Sequence, residues 1–286
     1  IVYYYQTRYF ISPLDSEITR DCSIAIPALK DQLLNVSTRL RVLAGDSALI
    51  GGFIIIGNVP KKVIIRAIGP SLAGVSGVLA NPVLELHGPG GFETITNDNW
   101  ADTQQAEIQA TGVAPGNSLE SAIVATLPPG AYTAIVRGQN NGTGVGLVEA
   151  YDLETFADSK LANISTRGFV DVGENVMIGG LIAGPQNGVS GRMLVRAIGP
   201  SLSVSGVPNA LQDPTLELHD GSGAIVASND DWRDTQQADI EATGIPPTNI
   251  KESAILSTLP PGGYTAIVRG VGNTTGVGLV EVYNLP

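Results

Sequence analysis

The chain has 286 residues with 16 Lys and Arg against 27 Asp and Glu, a formal net charge of −11. Such an acidic surface repels phosphate backbones, which argues against nucleic acid as a partner, and no run approaches the roughly 18 apolar residues of a membrane span. Cys22 is the only cysteine, which excludes an internal disulfide and a Cys-based zinc site, while 35 Gly, 18 Pro and only 15% charged residues describe short strands joined by tight turns.

Residues 1–33 read as an N-terminal arm. Ile1 stands where an initiating Met would, as in a processed or a partial chain. Ile1, Tyr3, Tyr5, Thr7, Tyr9 and Ile11 alternate onto one nearly apolar face of a strand, which Ser12-Pro13 ends. An apolar strand at a terminus needs a sheet to cover it, its own or a neighbour's.

Residues 34–154 form a first repeat. Strand patterns cover 37–43, 48–56, 62–68, 83–87, 93–96, 121–127, 132–138 and 145–153. Asp102-Thr103-Gln104-Gln105 predicts a capped start for one short helix, and Gly112 its stop. Pro129-Gly130 suits a type II turn. Gly142-Thr143-Gly144-Val145-Gly146 looks like a phosphate loop only superficially, and a hairpin turn accounts for it more simply.

Residues 155–160 are a short linker, and 161–286 repeat the unit. Asn97 to Leu153 returns at Asn229 to Leu285 without a gap, and 40 of the 57 positions are identical. That is a tandem duplication, so a site proposed in one copy must be tested on the other. The pattern predicts an all-β protein: two tandem antiparallel β-sandwiches of jelly-roll type, each with one short helix, plus the strand arm.

Four motifs carry a family resemblance. They are Ser165-Thr166-Arg167-Gly168-Phe169 leading to Ile178-Gly179-Gly180, Arg196-Ala197-Ile198-Gly199-Pro200-Ser201-Leu202, Asn229-Asp230-Asp231-Trp232, and 259–270, LPPGGYTAIVRG. Together they resemble a tandem β-sandwich repeat of large secreted proteins from environmental bacteria. The stretch from LELHDGSGAIVASNDDW through LPPGGYTAIVRG also resembles bacterial pre-peptidase C-terminal domains. The resemblance implies a small extracellular β-sandwich, of a kind that in some cases binds calcium or polysaccharide. It covers both copies and not the arm.

The oxygen-rich loop is the leading site candidate. Asn97, Asp98, Asn99 and Asp102 match Asn229, Asp230, Asp231 and Asp234, with Glu120 and Glu252 farther on. Calcium takes six to eight oxygens, several of which one such loop can supply. The competing reading is Asx turns and a helix cap. Trp100 and Trp232 are either sugar-stacking platforms or covers for one end of each sandwich.

A catalytic set is missing, which argues against an enzyme. His87 and His219 have no nucleophile beside them in sequence, and Ser71 and Ser201 lack the last Gly of the G-x-S-x-G elbow. Arg66, Arg137, Arg196 and Arg269 are expected in ion pairs at the surface or rim. Asn35, Asn141, Asn163 and Asn273 stand in glycosylation sequons. The leading functional expectation is a structural subunit of an extracellular or cell-surface filament or layer, self-associating head-to-tail through a donated N-terminal strand. The alternative is a carbohydrate-binding or adhesion module of a larger secreted protein, with a polysaccharide as partner.

Overall fold

A computed structural model describes residues 32–45, 48–184, 188 and 190–285. The candidate arm strand, residues 1–11, lies outside the described residues. The fold is all-β and mostly antiparallel. The first repeat runs β1 (Gln32–Val42), β2 (Leu49–Gly57), β3 (Lys61–Ile68), β4 (Pro82–His87), β5 (Ile95–Asn97), α1 (Gln105–Ala110), β6 (Ser121–Leu127), β7 (Gly130–Gly138) and β8 (Gly144–Asp152). The second runs β9 (Ser159–Val170), β10 (Met177–Gly184), β11 (Gly191–Ile198), α2 (Pro200–Val204), β12 (Pro214–Asp220), β13 (Ile225–Asn229), α3 (Gln237–Glu241), β14 (Ser253–Leu259), β15 (Gly262–Gly270) and β16 (Gly276–Leu285). Helix α2 is an addition to the one helix expected per copy. It starts on Pro200, a residue whose fixed φ suits the first turn, where the first copy makes only a turn closed by Leu72 N–H on Gly69 O.

Burial explains the strand sequences. In β4, Leu84 and Leu86 are fully buried while Val83 and Glu85 are half-buried, the alternation of a one-sided strand. In β3 the run Val63-Ile64-Ile65 is buried without alternation, because both faces are covered. Val63, Ile65 and Ala67 enter the main core, and Ile64 meets Ile108 of α1 on the outer face. Leu194 and Ile240 repeat that outer contact in the second copy.

Each repeat is sandwich-like, with strands in two sets. Strands β6-β3-β8-β1 form one set, and β5-β4-β7-β2 the other. The sequence suggests two sandwiches closed on their own strands, but the hydrogen bonding crosses between them. Strand β1 pairs with β8 of its own repeat, from Asn35↔Tyr151 to Val42↔Gly144, and with β10 of the other, from Gln32↔Gly184 to Arg39↔Ile178. Strand β9 does the same with β16 and with β2. Where the two first strands meet, Thr38 Oγ1 donates to Thr166 Oγ1 at 2.8 Å, and both are buried. One hydrophobic core therefore runs through both repeats, from Leu33 and Leu40 to Leu181 and Val280. The linker is correspondingly short: β9 already begins at Ser159, and Asn58 N–H donates to Asp158 O.

The Ile-Gly-Gly motif is what lets the foreign strand approach. A Cβ on Gly52 would sit 2.7 Å from Ser165 Oγ, and one on Gly180 would sit 2.6 Å from Ser37 Oγ. Both contacts are between repeats, at the register pairs Gly52↔Ser165 and Ser37↔Gly180.

Two turn expectations change. Strands β6 and β7 belong to different sets, as do β7 and β8, so both connections are arches between sheets and neither is a hairpin. Gly130 is absent from the positive-φ glycines, whereas a type II turn requires positive φ there. The arch is held by a tyrosine instead: Tyr132 OH donates to Pro128 O at 2.8 Å, and Tyr264 OH to Pro260 O at 2.9 Å. That accounts for the L-P-P-G-x-Y spacing.

The crossing predicts a selective rescue. Gly52→Ala should destabilise the chain by about 1–3 kcal/mol, the usual cost of overpacking. Adding Ser165→Ala should restore most of the loss, and adding Ser37→Ala should not. Gly180→Ala should show the reverse preference. Chemical denaturation of the six variants checks this.

Candidate functional site

The loop after β5 crosses from the edge of one set of strands to the edge of the other, and its polar side chains finish the second edge. Strand β6 pairs only with β3, so its outer main-chain groups face away from the sheet. Ala122 N–H donates to Asn97 Oδ1 at 3.0 Å, Val124 N–H donates to Gln104 Oε1 at 3.0 Å, and Gln104 Nε2 donates to Val124 O at 2.8 Å. Two side-chain amides thus stand in for a missing strand. On β14, Asn229 serves Ala254, and Gln236 serves both main-chain groups of Leu256. The expected capping box does not form. Helix α1 starts after Gln104, whose side chain is on the sheet edge, and its N-terminus has no side-chain cap.

Asn97 and Asn229 are therefore structural pins, 4% and 8% exposed, and not free ligands. Asp98 accepts Gln139 Nε2 at 2.8 Å, and Asp102 accepts Asn99 Nδ2 at 3.1 Å. The Asn81 amide donates to Asp98 Oδ1 at 3.1 Å in the orientation that satisfies both its ends. The second copy differs. Asp230 and Asp231 are gathered with Asp213, a residue the loop pattern does not include, and their carboxylates lie within 4.8 Å of one another. Asp234 is outside that group. Lys251 brings its ammonium 3.5 Å from Asp213 and 3.4 Å from Asp231. Asp213 Oδ1 and Asp231 Oδ1 are buried atoms without hydrogen-bond partners. Desolvation, then the neighbouring Asp213 and Asp231, hold the Asp230 carboxyl above its ordinary value. Asp213 could have been noticed in the sequence, since the first copy has Asn81 there and Leu119 where Lys251 stands.

The tryptophans go to the core. Trp232 is 2% exposed and packs with Leu194, Ile240 and Ala254, with the Arg233 guanidinium 4.8 Å from its ring centre. Trp100 is half-buried against Ile64 and Ile108. Each indole N–H donates at 3.0 Å to a carbonyl, Asn117 O or Asn249 O. A buried ring leaves no open face for a sugar, so Trp232 is not a stacking platform.

The remaining motifs are also spent on the fold. Glu120 is fully buried. Its Oε1 accepts Gly69 N–H at 3.0 Å, Ser71 N–H at 2.8 Å and Ser71 Oγ at 2.6 Å, and its Oε2 accepts Asn117 N–H at 3.1 Å. Glu252 repeats this with Gly199, Ser201 and Asn249. The R-A-I-G-P-S-L turn is therefore a cradle for the chain's own carboxylate. Ser201 Oγ bonds Thr248 Oγ1 instead, and neither serine is paired with a histidine. Each histidine bonds a glutamate two residues back, Glu85 or Glu217.

Arg66 and Arg196 are not at the surface. Arg66 pairs with Glu149 across β3 and β8, lies 5.0 Å from the Tyr151 ring centre and donates to Val113 O, pinning the segment after α1 onto the sheet. Arg196, Glu281 and Tyr283 repeat the arrangement. Burial first, then the adjacent carboxylate, pushes each tyrosine up to about 12. Arg137 donates to Gly45 O at an exposed position, and Arg269 pairs with Glu217 at a half-buried one. Two of the four sequons are buried, with Asn35 4% and Asn163 7% exposed and their amides on Ala150 O and Val282 O.

No helix among the described residues is long and apolar enough to cross a membrane. No family model matches the chain, and no curated protein does. Among solved structures it is similar to one described as "Life in the extremes: atomic structure of Sulfolobus Turreted Icosahedral Virus", with 14% identity over 88% of this chain and 90% of that one and a TM-score of 0.22. That likeness is too loose to carry an argument.

Two outcomes check this reading. Glu120→Ala leaves three backbone N–H donors at Gly69, Ser71 and Asn117 without their acceptor. It should cost about 3–5 kcal/mol in denaturant unfolding, in the range for breaking a buried charged network. The raised value at Asp230 means that the folded chain binds that proton more tightly than the unfolded one. Its charge therefore opposes folding at neutral pH, and the stabilisation is present in acid below the ordinary aspartate range and lost as pH rises through the folded value. Asp230→Asn should raise the melting temperature at pH 7, with the gain vanishing in acid.

Proposed function

We propose that this chain is a structural subunit of an extracellular filament or surface assembly. The observation that carries the reading is where its polar residues go. The repeated motifs are spent on closing sheet edges and burying carboxylates, while the outer edges of β5 and β13 have no strand partner among the described residues. The first strand of each repeat pairs with its own repeat and with the other, which suits a stiff building block.

In this reading the arm, Ile1 to Ile11, adds as a strand to the next subunit. Amide side chains block the β6 and β14 edges, so β5 and β13 are the acceptors. On β13, Ile225 and Val226 are 61% and 42% exposed. Strand addition supplies main-chain hydrogen bonds, and an apolar face adds about 25 cal/mol per Å² buried. A head-to-tail contact of this kind does not close on itself and generates a polymer. The carbohydrate-binding alternative loses support from the buried Trp232.

Deleting residues 1–11 should abolish polymers that the full chain forms, as seen by electron microscopy. Unchanged polymerisation would exclude strand donation. Calcium enters the proposal only at the second repeat, through Asp213, Asp230 and Asp231, where it would displace Lys251. Melting in calcium and in chelator at matched ionic strength should then differ; identical melts exclude a stabilising ion.

A further inference from the structure

Lys61 opens β3, and Asp152 ends the neighbouring strand β8. Both side chains are wholly buried, at 0% exposure, with Lys61 Nζ 2.7 Å from Asp152 Oδ2. Every other ion pair among the described residues keeps some exposure at both partners. Lysine is almost never fully buried, and two charges taken out of water lose their hydration. Two further contacts fix the pair. Lys61 Nζ also donates to Glu154 O at 2.8 Å, and Glu154 N–H donates to Asp152 Oδ1 at 2.8 Å. The second repeat lacks both partners together, with Gly191 at the place of Lys61 and Asn284 at that of Asp152. Both residues of the pair are thus replaced in the second copy, in a chain whose single Cys22 allows no internal disulfide.

We infer that Lys61 and Asp152 condense into an intramolecular isopeptide bond, Nζ to Cγ, with release of one water. The ammonium passes a proton to Oδ2 along their hydrogen bond, which removes both charges from the buried site. The Nζ lone pair then attacks Cγ. The carbonyl electrons move to Oδ1, where the Glu154 N–H stabilises the developing oxyanion. The Glu154 carbonyl holds the amine in line throughout. Oδ2 takes a second proton from the nitrogen and departs as water, and the C=O reforms at Oδ1. One N–C bond forms, one C–O bond breaks, and no oxidant or reductant is needed. The product ties β3 to β8 covalently.

The test is the intact mass of the purified, denatured full chain, followed by fragmentation of its proteolytic peptides. The inference predicts a mass lower than the sequence value by one water, and a branched peptide joining the Lys61 and Asp152 segments. Lys61→Arg, which keeps a cation without a nucleophilic amine, should have its full sequence mass. A wild-type mass equal to the sequence value would make the pair an ordinary ion pair and overturn the inference. A water loss that maps to one unbranched peptide, as from an aspartyl imide, would overturn it as well.

Discussion

The hydrogen bonds that β1 and β9 make to both repeats are the constraint on which the rest of the structure depends. A sandwich built only from its own strands would leave β2 with one bare edge and β1 with another. Each first strand fills the bare edge of the other copy. The exchange requires equal reach in both directions, which the duplicated sequence supplies. It also requires the backbones to approach closely where Ser165 faces Gly52 and Ser37 faces Gly180, which glycine alone permits without a shift. The result is a shared core in place of two.

The same economy governs the edges that remain. Asparagine and glutamine side chains carry a donor and an acceptor in the geometry of a peptide group, so Asn97 and Gln104 can satisfy β6 as a neighbouring strand would. An edge closed in this way resists pairing with other chains. The outer edges of β5 and β13 have no such side-chain cover among the strand pairings described, and they are the edges that the proposed assembly would use.

Much of this was legible in the sequence. Alternation in Val83 to His87, and the apolar run Val63 to Ile65, mark strands and even their one-sided or two-sided burial. The exchange was not legible, because β10 and β2 offer β1 the same Ile-Gly-Gly surface and local pattern cannot choose between identical partners. Gln104 was misread because a glutamine near a helix start suits a capping box and an edge bond equally well. Asp213 and Lys61 belong to no motif. They show only as departures between copies, Asn81 to Asp213 and Gly191 for Lys61, and such departures gain meaning once partners in space are known.

One tryptophan per repeat provides the most direct test of the shared core. In Trp100→Phe and in Trp232→Phe, the fluorescence of the remaining indole reports one repeat, while far-ultraviolet circular dichroism reports the whole chain. If the first strands are exchanged and the core is common, each indole should unfold with the same denaturant midpoint and slope as the circular dichroism of its own variant. An indole that completes its transition while about half of the β signal persists would mean that the repeats fold separately, and would contradict the account.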